Sequence, residues 1–308
     1  MNINKAVKNI RTTAIEEVFK IAYKIKPRYA SDLMYRRAFH KKQNLDNPKN
    51  LIEKINWMQF NTDTTMWTLC ADKYRMREYI EKCGLTDHLP KLYGRWDKPE
   101  DINFEELPSE FVLKSNNGCG TVMVVRDKSK LNEKEIKRLL KSWLKPYGYI
   151  GGQTHYLRIK PCIIAEELLH QDEEEKKISP NSLIDYKMWC FNGEPESIWV
   201  AYNRHDAVCV DMALYDKNWM PIPQYLRDTN IEKYVPNKEV PKPCCLEKMF
   251  EIARIVAKPF PELRLDFYVI NGKPFIGEMT FTSGYGFYTD EYYDYLGSKV
   301  DLSKVSKI

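Results

Sequence analysis

The chain has 308 residues, 43% of them hydrophobic, with a net charge of +5. That is enough apolar material to bury the core of one large α/β unit or of two domains, so a globular protein is expected. No run approaches the roughly 20 apolar residues that cross a bilayer, and "MNINKAVKNIRTTAIEEVFK" lacks the apolar h-region of a signal peptide. A cytoplasmic protein is the expectation.

The eight cysteines (Cys70, Cys83, Cys119, Cys162, Cys190, Cys209, Cys244, Cys245) form no C-x-x-C pair and read as reduced thiols. The five histidines are dispersed without H-E-x-x-H spacing, which argues against zinc. Any metal is expected on carboxylates.

Charge is uneven along the chain. Residues 1–60 carry thirteen Lys and Arg against five acids, a local excess of +8. Val7, Ile10, Ala14, Val18, Ile21 and Ile25 recur at three- and four-residue steps and predict an amphipathic helix with Lys5, Lys8, Arg11, Lys20 and Lys24 on its polar sides. Two readings stand: a helix docked on the domain with solvated lysines, or one lying on the inner face of the cytoplasmic membrane, drawn to anionic lipid. No nucleic-acid role is expected, because aromatics do not interleave with the basic residues.

Residues 1–105 read as a helical region that includes "LIEKINWMQFN" and "WTLCADKYRMREYIEKCG", the latter stopping at Gly84. A Pro-punctuated connector with the strand "LYGRW" follows. From residue 111 short β-rich runs take over, at 111–114, 121–125, 161–167, 184–191, 196–203, 208–214, 263–270 and 274–282. Helices at 132–145 and 244–258 interrupt them, an α+β pattern with antiparallel hairpins. "QDEEEKK", 171–177, reads as a solvated loop.

Three segments carry chemistry. In "FVLKSNNGCGTVMVV" a strand ends in Lys114 and runs into Gly118 and Gly120, an arrangement that lets backbone N–H groups approach phosphate, though an ordinary hairpin has the same pattern. In "RLDFYVINGKPFIGEMTFTSG" the polar sets Arg264, Asp266 and Glu278, Thr280 have the same parity. A two-residue turn at Asn271-Gly272 would pair Asp266 with Gly277 and split the set, whereas a three-residue loop with Gly272 in a bulge restores it. Two carboxylates on one sheet face suit Mg²⁺ carrying nucleotide phosphates; a solvated face with Arg264 paired to its acids is the alternative. "KPCIIAEELLH" is an apolar strand ending in Glu166 and Glu167, either leaving the core or forming a hinge that reads an adenine edge.

Taken in order, these segments resemble the ATP-grasp fold. With "NPKNLIEKINWMQF", "ADKYRMREYI", "YGYIGGQTHYLRIKPCIIAEELL" and "IDYKMWCFNGEPESI" they resemble more closely the TupA-like ATP-grasp family, over about residues 35–290. That family is associated with teichuronopeptide and other surface-polysaccharide gene clusters. The resemblance implies two α+β subdomains sandwiching ATP, at 106–170 and 171–308, after the helical region 1–105. It implies Lys73 and Lys114 on the phosphates and a lid of Asn116, Asn117, Gly118, Cys119 and Gly120. Glu166, Glu167, Leu168 and Leu169 would be the adenine hinge, and Asp185 would take a ribose hydroxyl. Lys187 would reach phosphate or substrate, and Arg204 and Arg264 would neutralise a transferring phosphoryl or an acyl phosphate, with metal on Asp266, Glu278 and Thr280. Thr280 stands where the family usually has Asn, which leaves two firm carboxylate ligands. His155 is the nearest candidate for substrate contact. The implied activity is an ATP- and Mg²⁺-dependent carboxylate–amine ligase acting on a surface-polysaccharide precursor, such as a uronic acid and an amino acid or amine. The alternatives are a sugar-nucleotide glycosyltransferase, although no D-x-D occurs in the sequence, and a non-catalytic nucleotide-binding subunit.

Overall fold

The computed structural model describes residues 3–204, 210–227 and 239–307, with side chains from residue 14 onward. His205 and Cys209 lie outside the described residues, as do the side chains of Lys5, Val7, Lys8, Ile10 and Arg11.

The first helices are α1 (Ile3–Ile25), α2 (Pro27–Phe39), α3 (Leu51–Asn61), α4 (Thr65–Ala71) and α5 (Met76–Lys82). Pro27 starts α2 where the missing N–H costs nothing, and the Asn50 side chain caps α3 by accepting from the Glu53 N–H at 3.0 Å. Gly84, at φ 73°, ends the α5 segment as expected. Tyr35, Leu51, Ile55, Trp67 and Ile80 enter the core of the larger sheet.

The periodicity of α1 finds the helix but not its docked side. Phe19 and Ala22 are buried against Ala30, with Ile15, Tyr23 and Met34 packed around them. Val18, Ile21 and Ile25, three of the residues expected to dock, are 56%, 58% and 69% exposed. The apolar sector is wider than the stripe read from aliphatics alone. Its aromatic residues decide the docking, because Phe19 and Tyr23 offer the most area to bury, Tyr23 meeting the Tyr149 ring edge-on at 5.4 Å.

The smaller sheet contains β1 (Leu92–Trp96), β2 (Phe111–Ser115), β3 (Val122–Val125) and β4 (Ile163–Glu166) in the antiparallel order β1-β4-β2-β3. It therefore draws a strand from before residue 106. Helix α6 (Glu133–Trp143) lays Ile136 and Leu140 on Phe111, Leu113, Ile163 and Ala165. The short α7 (Thr154–Leu157) precedes β4.

The expected loop at 171–177 contains α8 (Glu173–Ile178), closed by a capping box in which Asp172 accepts from Glu175 N and Glu175 reaches back to Asp172 N. A run of like charges hid a helix whose Lys176 and Lys177 pair with Glu173 and Glu174 three residues back.

The larger sheet runs β7-β6-β5-β8-β9, with β5 (Asp185–Phe191), β6 (Glu194–Tyr202), β7 (Asp211–Asp216), β8 (Glu262–Ile270) and β9 (Lys273–Thr280), all antiparallel. Helix α9 (Leu246–Ala257) packs on β5, β6 and β8, in one core with Met188, Ile198, Leu265 and Phe267. The alternate residues Asp185, Lys187, Arg264, Asp266 and Glu278 therefore share the opposite face. A last helix, α10 (Asp290–Ser298), capped by Thr289, packs against α3 and has no counterpart in the sequence reading.

The β8–β9 hairpin corrects one expectation and meets its purpose by another route. Its turn is the two-residue Asn271-Gly272, at φ 50° and 72°, with Ile270 opposite Lys273. Gly272 has positive φ but is not the bulge. The register shifts between Asp266 and Phe267, and Gly277 is the extra residue on β9. Asp266 thus lies directly opposite Glu278, and Arg264 opposite Thr280. Gly277 fits because a Cβ there would stand 2.8 Å from the Tyr268 ring.

Candidate active site

Glu278, Asp266, Lys187 and Trp199 form one row across β9, β8, β5 and β6. Thr280, Arg264, Trp189 and Ser197 form the next. Lys187 Nζ donates to Asp266 Oδ2 at 2.7 Å and lies 2.5 Å from Asp185 Oδ2. Arg264 donates from Nε to Asp266 Oδ1 and from Nη2 to Oδ2, both at 2.7 Å. It donates further to Thr280 Oγ1 at 3.1 Å and to Ser283 Oγ.

Asp266 is 2% exposed, Lys187 and Arg264 9%. Burying each ion costs roughly several kcal/mol after relaxation, so a hydrophobic row would serve stability as well. Buried charges paired this closely on one sheet face make the row a candidate functional site. Burial alone would raise the Asp266 carboxyl, but Arg264 and Lys187 overcome it and hold the group below its ordinary value. Burial would lower the Lys187 ammonium; Asp185 and Asp266 prevail and raise it. Burial dominates at Asp185 and raises its carboxyl, and its Oδ1 is buried without a hydrogen-bond partner.

Glu278 is the least committed carboxylate of the row, its side chain 26% exposed and its nearest cation Lys73 Nζ at 3.5 Å. Lys73 also donates from Nζ to the Gly118 carbonyl at 2.8 Å, joining the glycine loop of the smaller sheet to β9. A facing pair of carboxylates, one with oxygens to spare, suits Mg²⁺ shared with phosphates. Thr280 fits less well, because its hydroxyl already accepts from Arg264. Among the described residues no three His, Cys, Asp or Glu side chains gather around one metal position.

On the smaller sheet Lys114 donates to Glu166 Oε2 at 2.8 Å, and Arg77 Nη1 to Glu166 Oε1 at 3.2 Å. The Glu166 carboxylate therefore aims two cations. Glu167 is held to the neighbouring chain: its N–H donates to the Lys91 carbonyl at 2.9 Å and its Oε2 accepts from Lys91 N at 3.2 Å. Leu168 is buried and Leu169 half-buried.

The loop between β2 and β3 divides into anchor and tip. Asn116 accepts from Cys162 N at 2.7 Å and donates to the Lys160 carbonyl at 3.1 Å; Asn117 donates to the Lys145 carbonyl at 2.9 Å. Both are buried. Gly118 and Gly120 take φ 85° and 78°, and Cys119 and Gly120 are exposed at the tip.

Two candidates make no side-chain hydrogen bond or ion pair with these clusters among the described residues. Arg204, beyond the end of β6, is exposed, with its N–H donating to Ser182 Oγ at 3.0 Å. His155 is fully buried among Trp67, Tyr156 and Phe281, with neither ring nitrogen hydrogen-bonded. Burial pushes its imidazole down to about 3.

Sequence reasoning missed Arg77, four residues after Lys73, and Tyr268, which shares the parity of Arg264 and Asp266. The Tyr268 hydroxyl is raised well above its ordinary value by Asp185, then by burial, Asp266, Glu278 and Glu166. It thus sits, half-buried, in the field of carboxylates from both sheets.

Two antiparallel sheets, one with an aimed lysine and a glycine loop and the other with a carboxylate–cation row, joined across Lys73, define the ATP-grasp α+β architecture. The chain belongs to the TupA-like ATPgrasp family, whose model matches residues 53–301. No curated protein matches it in sequence. Among solved structures it is similar to D-alanine–D-alanine ligase from Bacillus anthracis, at 18% identity and TM-score 0.46, over 78% of this chain and 68% of that one. The same enzyme complexed with ATP gives 16% and 0.41, over 73% and 57%. L-amino acid ligase from Bacillus licheniformis gives 15% and 0.41, over 70% and 43%. The chain thus spans about half the length of the last two.

Proposed function

We propose that the protein is an ATP- and Mg²⁺-dependent carboxylate–amine ligase acting on a surface-polysaccharide precursor, joining a uronic acid to an amino acid or amine. The observation that carries the reading is the buried row in which Asp266 faces Glu278 with Lys187 and Arg264 locked beside them. Family membership supports it, as does the supply of cations from both sheets and from the α4–α5 segment: Lys114, Lys187 and Arg264 on strands, with Lys73 and Arg77 beside them, against Asp185, Asp266, Glu278 and Glu166.

In this reading a carboxylate oxygen attacks the γ-phosphorus of ATP, the bond to the β-phosphate oxygen breaks, and ADP leaves an acyl phosphate. The amine nitrogen then adds to the acyl carbon, the carbon–oxygen bond to phosphate breaks, and the amine proton departs with the phosphate. Asp266 and Glu278 would hold Mg²⁺, which supplies charge neutralisation at the phosphates. Lys187 and Arg264, already held by Asp266, line up positive charge with little reorganisation. The lid tip at Cys119 and Gly120 would cover the phosphates, with Asn116, Asn117 and the Lys73-bound Gly118 holding still.

One observation favours a second reading, a non-catalytic nucleotide-binding subunit: the Thr280 hydroxyl is engaged by Arg264 where a third metal ligand is expected. The test is ADP release with panels of uronic acids, amino acids and amines. The ligase releases ADP only with a carboxylate present, forms amide only with an amine, and yields a hydroxamate when hydroxylamine replaces the amine. Binding of ATP without any carboxylate-dependent ADP release supports the second reading. Sugar transfer from a nucleotide sugar without ATP overturns both.

A further inference from the structure

The open apolar side of α1 is not explained by the candidate active site. Val18, Ile21 and Ile25 recur along one helical edge and are more than half exposed, and across the α1–α2 groove Tyr29 and Leu33 are 49% and 40% exposed. A surface of five large apolar side chains on two packed helices is more than the single exposed hydrophobics that soluble surfaces tolerate. Nothing else in the described chain covers it.

What surrounds this surface is basic. Lys24, Lys26, Arg36 and Arg37 are exposed and, among the described residues, make no ion pair, and Arg37 lines the groove beside Val18 and Leu33. Of the nearby acids, Glu17 is held by Lys20 at 3.2 Å and Asp32 by Gln43 at 2.6 Å, which leaves the exposed Glu16 against the four cations. No described helix is long and apolar enough to cross a membrane. An apolar strip rimmed by uncompensated cations is complementary to a surface that is oily beneath and negative on top.

We propose that the α1–α2 face docks the protein on an anionic lipid bilayer, with Val18, Ile21, Ile25 and Leu33 entering the headgroup boundary and Lys24, Arg36 and Arg37 meeting lipid phosphates. The surface belongs to a pair of helices already folded onto the domain, so binding needs no refolding. The face shares no residue with the candidate active site.

Sedimentation of the full chain with phosphatidylcholine vesicles, and with vesicles of equal parts phosphatidylcholine and phosphatidylglycerol, tests it. The protein is expected to pellet with the second set only, and to be released as salt is raised to about 0.5 M. Replacing both Ile21 and Ile25 by Glu should weaken vesicle binding at least about tenfold, because apolar burial and charge attraction are lost together. Lys24→Glu and Arg37→Glu should each weaken it about fivefold, with unchanged thermal melting in both cases. Failure to pellet with anionic vesicles, or undiminished pelleting of the Ile21→Glu/Ile25→Glu variant, overturns the proposal. So does a dimer in sedimentation equilibrium that this variant abolishes while vesicles bind neither protein, which assigns the face to a second copy of the chain.

Discussion

The two sheets use the same device with opposite surplus. On the smaller one a single buried acid, Glu166, aims two cations, Lys114 and Arg77, and leaves positive charge over. On the larger one Asp266 holds Lys187 and Arg264 with both of its oxygens, Asp185 adds a further acid, and Glu278 is left nearly free. A surplus of cation suits phosphate, and a surplus of carboxylate suits a divalent ion. A buried acid beneath each cluster fixes rotamers that long side chains would otherwise lose entropy to adopt.

The comparison breaks most sharply at the larger sheet. Asp266→Asn removes the anion between two buried cations, so turnover should fall by orders of magnitude and stability by about 3 kcal/mol. Glu278→Gln should also stop ADP release yet leave the melting temperature within the range of a surface change, because its one ion pair is long and partly exposed. Steady-state assays paired with denaturant titration separate the two variants. Equal loss of stability in both removes the distinction between a locked and a free carboxylate.

At the smaller sheet the expected effect is on binding. Lys114→Ala should lose about 2 kcal/mol of ATP affinity, roughly thirtyfold in Kd, with the fold intact. Glu166→Gln should lose less, since both cations remain but are no longer held. Calorimetric titration with ATP and Mg²⁺ gives both numbers; a larger loss for Glu166→Gln than for Lys114→Ala would mean that the acid itself meets the nucleotide.

A smaller effect is expected where the backbone sets the row. Gly277→Ala places a Cβ against the Tyr268 ring, and should cost about 1–3 kcal/mol through overpacking next to the bulge. A neutral result in denaturant unfolding would show that the ring yields freely.

Most strands of both sheets were legible, because alternation and β-branched residues make a local signal. So was the site's parity, from Arg264, Asp266 and Glu278. The position of the bulge was not, because Asn271-Gly272 and Gly277 each supply a glycine, and only Tyr268 across the strands distinguishes them. Arg77 was hidden as one more charge on a helix, its meaning resting on Glu166, 89 residues away. The docked side of α1 misled because aliphatic spacing alone was counted. The roles of Glu166, Asn116 and Asn117 as anchors came only with tertiary contacts, since a side chain's hydrogen-bond partner across the fold leaves no mark on sequence spacing.

His155 gives almost no effect at pH 7 and the clearest sign below it. Its folded-state value of about 3 lies below the ordinary 6.5 because burial disfavours the charged ring, with Arg158 adding to it. The unfolded chain therefore takes up a proton that the folded one refuses, so the His155 contribution to stability is intact above pH 6.5 and is lost as pH falls toward 3. The loss reaches about 2 kcal/mol at pH 5, at up to 1.4 kcal/mol per pH unit. His155→Phe keeps the aromatic contacts with Trp67 and Phe281 and sacrifices no hydrogen bond, since the ring nitrogens make none. The variant should match the native protein at pH 7 and exceed it by a gap that widens toward pH 5. Glu262, fully buried without hydrogen-bond partners and pushed well above the ordinary carboxylate range by burial, acts the other way, its contribution present in acid and lost as pH rises. It is common to both proteins, so the difference between their melting curves isolates His155. A gap that stays constant from pH 7 to pH 5 would mean that water or a partner reaches the ring, and would return His155 to the list of groups that meet substrate.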